Sequence, residues 1–240
     1  MNNNFDFKRF GHVLAKDWKD YFRNFGISLI VWSCIPILLW IASLVFDTTI
    51  PNGARAISIG CLVFSVLIFV PSKVYGNANL SREGIGFASL PATNAEKFFS
   101  MVFYCSILTP IIVGLGSWAV DTLLTLLPFG GFIDYIILPK HHLCLLIFTI
   151  GCTILMFSSI FVFGNMIFKK RKAGKTIAWV LLFIFVRTLI YQLCGFFEVR
   201  SRWLTSMSDT KIMWVNSLVC IVIASLFYYF TYRRIKNQKY

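Results

Sequence analysis

Six apolar runs, each long enough to cross a lipid bilayer, set the terms for everything else in this chain. A helix rises about 1.5 Å per residue, so crossing about 30 Å of hydrocarbon takes roughly 20 apolar residues. Windows of that kind, bounded by charge or turn residues, run from about Gly26 to Phe46, Ala56 to Gly76, Phe98 to Leu127, Leu143 to Phe168, Thr176 to Phe197 and Ile212 to Thr231. The third and fourth exceed the minimum, which implies tilt or helix projecting beyond the bilayer. Of the 240 residues, 58% are hydrophobic and the mean hydropathy is +0.73, whereas a soluble domain is nearer half apolar. The expected fold is an all-α membrane protein with six transmembrane helices.

Sidedness follows from the cations, because Lys and Arg resist translocation while acidic residues weigh little. Six spans put both termini on one side. If that side is cytoplasmic, the inner segments hold Lys8, Arg9, Lys16, Lys19, Arg23, Lys73, Arg82, Lys97, Lys169, Lys170, Arg171, Lys172, Lys175, Arg233, Arg234, Lys236 and Lys239. The outer loops keep only Arg55, Lys140, Arg200, Arg202 and Lys211. Both termini are therefore expected in the cytoplasm, and the location is the cytoplasmic membrane. The net charge of +13 then reflects basic loops meeting anionic lipid headgroups. Nucleic acid is not an expected partner, since no soluble basic domain is long enough to bind it.

The first 25 residues are polar and mixed in charge, without an early apolar core, so the first span is expected to act as its own insertion signal. Within them Phe7, Phe10, Leu14, Trp18, Tyr21, Phe22 and Phe25 recur at intervals of three and four, with Lys8, Arg9, His12, Lys16, Lys19 and Arg23 between. This reads as an amphipathic interfacial helix over 1–25, leading into a transmembrane domain over 26–231 and a basic tail over 232–240. A solvated helix packed on a cytosolic partner is the competing reading. Pro36, Pro71 and Pro110 fall one to each of the first three spans and are expected to bend them.

Chemistry of the catalytic kind finds no support. A phosphate cradle needs G-x-x-x-x-G-K followed by Ser or Thr; Gly174, Lys175 and Thr176 supply the end, but position 169 holds Lys169 in place of the first glycine. The run KKRKAGK reads instead as an anchor on acidic lipid. There is no H-E-x-x-H, and the adjacent His141 and His142 point about 100° apart on a helix, poorly placed as co-ligands. The seven cysteines all fall inside expected spans, with no C-x-x-C pair, and read as small apolar fillers. No enzyme activity, metal or cofactor is expected of this chain.

Two ionisable residues do lie within spans, Asp121 in the third and Arg187 in the fifth. Each costs on the order of 3 kcal/mol if left facing lipid, so each should face protein or water. They lie roughly 9 Å and 15 Å below the outer boundary, a difference an arginine can reach across. A polar patch of Asp121, Arg187 and Gln192 is therefore expected, either as a structural lock or beside a substrate path.

The connection between the second and third spans, 77–97, is longer than two antiparallel neighbours need. Arg82, Glu83 and Gly84 open a short segment carrying Ile85, Phe87 and Leu90; Pro91 breaks the chain; Thr93 and Glu96 have capping-box spacing and start a helix running into the third span. The stretch REGIGFASLP resembles the corresponding segment of ABC-2-type transporter permeases, and the layout of amphipathic helix, six spans and long inner loop is similar to that family. The resemblance implies that the loop is a coupling helix docked on a separate ATP-hydrolysing subunit. It also implies a second permease subunit and an exported substrate. Carried over, Arg82, Glu83, Gly84, Leu90 and Pro91 fall on the motif, while Ile85 stands where a threonine is common and Gly86 replaces a helix former. Exposed Ile85, Phe87 and Leu90 would be the anchors in the partner's groove. The alternative is a non-transporting membrane protein, such as an assembly, immunity or sensor subunit, whose inner loop is merely a connector.

Overall fold

The computed structural model describes residues 5–76, 89–127, 132, 143–168, 170–196 and 209–237. Among them every regular element is a helix: α1 Phe7–Ser33, α2 Ile35–Val45, α3 Asn52–Val74, α4 Asn94–Val102, a π-helical segment Phe103–Leu108, α5 Thr109–Thr125, α6 Leu143–Ile167, α7 Lys172–Phe196 and α8 Asp209–Lys236. Five stretches are long and apolar enough to cross a membrane: Phe7–Val45, Asn52–Val74, Asn94–Thr125, Cys144–Ile167 and Met213–Lys236. The sixth expected span falls on the 25-residue α7, which is not one of the five and whose side chains are described only in part.

Prolines place the breaks. Pro36 cannot donate to the Trp32 carbonyl, and the first helix stops at Ser33, with Cys34 as the joint to α2. Residues 25 and 26 lie inside α1 without interruption, so the basic, aromatic segment expected over 1–25 and the start of the first span are one helix. Pro71 sits in the last turn of α3, whose end at Val74 is closed by the Tyr75 N–H on the Pro71 carbonyl at 3.2 Å. Pro110 lacks the N–H that would hold the Ser106 carbonyl, and the helix widens just before it into π geometry.

The buried stripe of α1, Val13, Asp17, Tyr21, Phe25 and Leu29, recurs every four residues and packs on α3, α4 and α5. Tyr21, Phe25 and Leu29 join Val66, Val70, Met101, Cys105, Val113, Val162, Met166 and Ile235 in the core. The most extensive helix pairing is α6 with α8. Large apolar side chains cover much of the remaining surface, including Ile27, Val45, Ile57, Leu123 and Leu218, the pattern required when the surrounding solvent is hydrocarbon.

Long-range contacts define two poles. Glu96 at the start of α4 meets Asp6 and Arg9 of α1; Tyr75 at the end of α3 meets Asp17; Lys172 at the start of α7 reaches Gly76; and Tyr232 near the end of α8 packs on Phe98 with ring centroids 5.7 Å apart. The first and last helices thus have their terminal ends at one pole, with both flanks of the 77–93 connection. The opposite pole holds the end of α2, the start of α3 and the end of α5.

Candidate functional site

At the first pole the connection between α3 and α4 is tied down at both flanks. On the α3 side, the Tyr75 hydroxyl donates to Asp17 Oδ2 at 3.1 Å, and Asn165 Nδ2 of α6 donates to the Tyr75 carbonyl at 3.2 Å. The Lys172 ammonium donates to the Gly76 carbonyl, a cation set at a helix C-terminus where the backbone dipole favours it. On the α4 side, the Thr93 hydroxyl accepts from the Glu96 N–H at 3.3 Å, and Glu96 Oε2 accepts from the Thr93 N–H at 2.9 Å. This is the capping box expected from the sequence. Glu96 also reaches out of it: its Oε1 accepts from the Asp6 N–H at 2.9 Å and from Arg9 Nη2 at 3.0 Å, so one buried carboxylate caps α4 and binds the start of α1.

Asp17 is the centre of this pole. It is 6% exposed, accepts from Tyr75 on one flank and from Ser100 Oγ on the other at 2.5 Å, and so joins α1, α3 and α4 through one carboxylate. Of the expected coupling residues, Leu90 and Pro91 are described: the Ala92 N–H bonds the Leu90 carbonyl at 2.7 Å, closing a three-residue turn around an exposed Pro91. Arg82, Glu83, Gly84, Ile85 and Phe87 lie outside the described residues.

From α4 the polar contacts continue into the bundle through the π segment. Thr109 turns its N–H and its hydroxyl to the Tyr104 carbonyl, the hydroxyl at 2.6 Å, and Tyr21 of α1 meets that hydroxyl at 2.7 Å. The Ser106 hydroxyl lies 2.6 Å from both Ser158 of α6 and Tyr228 of α8. The widened turn therefore hands its polar groups to three other helices. Such bulges recur where a helix serves function.

The opposite pole concentrates its chemistry. Arg55, in the first turn of α3, donates from Nε to Asp121 Oδ1 at 3.0 Å and from Nη2 to Oδ2 at 2.6 Å; its Nη1 reaches Asn52 Oδ1 at 3.3 Å. The guanidinium stands 4.2 Å from the centre of the Phe132 ring. Both charged side chains are almost wholly buried, at 1% and 3% exposure. The sequence reading pairs Asp121 with Arg187; the structure shows the planar fork of Arg55, at the start of α3, on both carboxylate oxygens. The side chains of Arg187 and Gln192 lie outside the described residues.

Sequence reasoning passed over Arg55, Asp17, Tyr75, Ser100 and Lys172. For Asp17 a signal existed: it stands between Val13 and Tyr21 at spacings of four, a carboxylate on the apolar stripe of the helix. Among the described residues no group of three or more His, Cys, Asp or Glu forms a metal cage, and the six described cysteines are free thiols. The contacts at both poles join helices. No family model, curated protein or solved structure matches this chain.

Proposed function

We propose that this chain is the membrane-spanning subunit of an ATP-driven exporter of the ABC-2 type. In this reading it crosses the membrane six times with both termini in the cytoplasm, pairs with a second permease subunit, and is energised by a separate ATPase. The ATPase docks on residues 82–91, with Ile85, Phe87 and Leu90 as apolar anchors and Arg82 and Glu83 as polar ones. One observation carries the reading: both flanks of the 77–93 connection are bonded to α1, and one also to α6 and α7, so a push on the loop moves several helices together. Displacement would enter α4 through its capped start and reach α6 and α8 through the hydroxyls of the π segment.

The test is co-purification of the full chain with any ATPase that a neighbouring reading frame encodes, comparing wild type with Leu90→Glu and Phe87→Glu. Retention by wild type and loss in both variants supports the reading. Absence of any nucleotide-hydrolysing companion, or equal capture by the variants, leaves the non-transporting class of membrane protein in its place.

A further inference from the structure

We propose that the outward face of α1 binds anionic phospholipid at the level of its phosphate, with Lys19 and Arg23 as the headgroup contacts. This stands apart from the exporter reading and needs only the first span to lie in a bilayer. Successive residues on a helix are about 100° apart, so His12, Lys16, Lys19, Arg23, Ile27 and Ile30 fall in one outward sector, and all six are exposed. Within one turn that sector changes from cationic to aliphatic: Arg23 is its last charge, and Ile27 and Ile30 are 81% and 67% exposed.

Length fixes where the change belongs. From Ile27 to Phe46 the chain covers about 30 Å, the depth of a hydrocarbon core. Phe46 is itself largely exposed, and Asp47 beyond it takes a left-handed φ of 46° as the helix ends. The near boundary therefore falls between Arg23 and Ile27, which sets Arg23 about 6 Å and Lys19 about 12 Å outside it along the axis. Both side chains are long enough to bring their charge to the phosphate layer.

The aromatic residues agree. Although the sequence sets seven apolar side chains toward lipid, Tyr21 and Phe25 are buried in the core, and Trp18 and Phe22 remain outside with ring centroids 4.4 Å apart. Trp18, with its indole N–H, stands at the depth where amphipathic rings gather at a membrane boundary. Asp20, half-buried beside this sector, is engaged by Arg23 at 3.0 Å and Lys16 at 3.6 Å; three exposed cations, Lys16, Lys19 and Arg23, face that one acid, so the sector keeps a net positive charge. Because the cations share one line with isoleucines at hydrocarbon depth, whatever touches Arg23 must also border acyl chains. That favours a lipid over an acidic soluble protein.

The experiment uses the purified full chain in neutral detergent. Retention of phosphatidylglycerol and phosphatidylcholine is counted by native mass spectrometry, and thermal midpoints are read with each lipid and with free glycerol phosphate. Wild type should retain phosphatidylglycerol preferentially, and salt should weaken the preference. Lys19→Gln with Arg23→Gln should cut it roughly fivefold per cation removed. The charge-preserving Lys19→Arg with Arg23→Lys should keep it. Equal retention of both lipids by wild type, or a preference unchanged in the neutral variant, overturns the proposal. Stabilisation by glycerol phosphate as strong as by the lipid overturns it too, making this a free-phosphate site.

Discussion

At one end of the bundle a single arginine and a single aspartate join α3 to α5, with four atoms in two bonds and almost no water. At the other end Asp17, Glu96, Tyr75, Ser100, Asn165 and Lys172 spread the same task over α1, α3, α4, α6 and α7. The difference lies in what happens when one member is lost. A buried bidentate pair is all or nothing, since removing either charge leaves the other desolvated and alone. A network in which carboxylates, an ammonium, hydroxyls, an amide and backbone groups share the bonding loses one bond at a time when a hydroxyl or the amide is removed. In the proposed exporter, the end that would receive a moving partner is the one held by the distributed arrangement.

The sharpest way to break this contrast is at Asp121. Asp121→Ala should cost about 3–5 kcal/mol by stranding the Arg55 guanidinium, and Arg55→Met with Asp121→Leu should recover most of that loss, read as thermal or denaturant unfolding in detergent. If the single and double variants are equally damaged, the pair is not the concentrated lock described here. A packing test at the opposite end comes next. A Cβ at Gly164 would stand 2.1 Å from Thr176 Oγ1 and 2.9 Å from its Cβ, so no rotation of the threonine relieves it. Gly164→Ala should cost about 1–3 kcal/mol by forcing α6 and α7 apart, with partial rescue by Thr176→Ala.

Smaller effects sharpen the distributed side. Glu96→Ala removes the capping box and the hold on Asp6 and Arg9, and should cost about 1–2 kcal/mol. Glu96→Gln keeps a side-chain acceptor and should recover part of it. Ser100→Ala deletes one of the two donors to Asp17 and should cost about 1 kcal/mol. A Ser100→Ala loss as large as that of Asp121→Ala would mean that Asp17 is itself an all-or-nothing site.

The parts legible in the sequence are those with local causes. Thr93 and Glu96 are three residues apart, and their reciprocal bonds form as the spacing predicts. Pro36 and Pro110 lack the N–H a continuous helix needs, and breaks or bulges occur beside them. Long apolar runs announced helices because few other structures suit a chain of that composition. What stayed hidden has causes far apart in the chain. Arg55 and Asp121 are 66 positions apart. Since spans are delimited by charge, a buried arginine at a span's first turn was assigned to the loop by the rule that found the span. Lys172 sits in a run of cations that reads uniformly as a lipid anchor, yet among the described cations of that run it alone is buried, turning inward to the end of α3, and nothing local distinguishes it from Lys170 or Lys175. The π segment shows in advance only its proline; its partners Ser158 and Tyr228 lie one and three connections further along the chain.

The central claim is that the connection after α3 is the element through which another protein moves this one. Its most direct test is thiol labelling at Leu90→Cys in a variant freed of the seven native cysteines, with a membrane-impermeant reagent applied from each side and in the presence or absence of the companion ATPase. The account predicts labelling from the cytoplasmic side alone, suppressed when the ATPase is bound. Labelling from the opposite side, or labelling that no nucleotide-hydrolysing partner ever blocks, would contradict it.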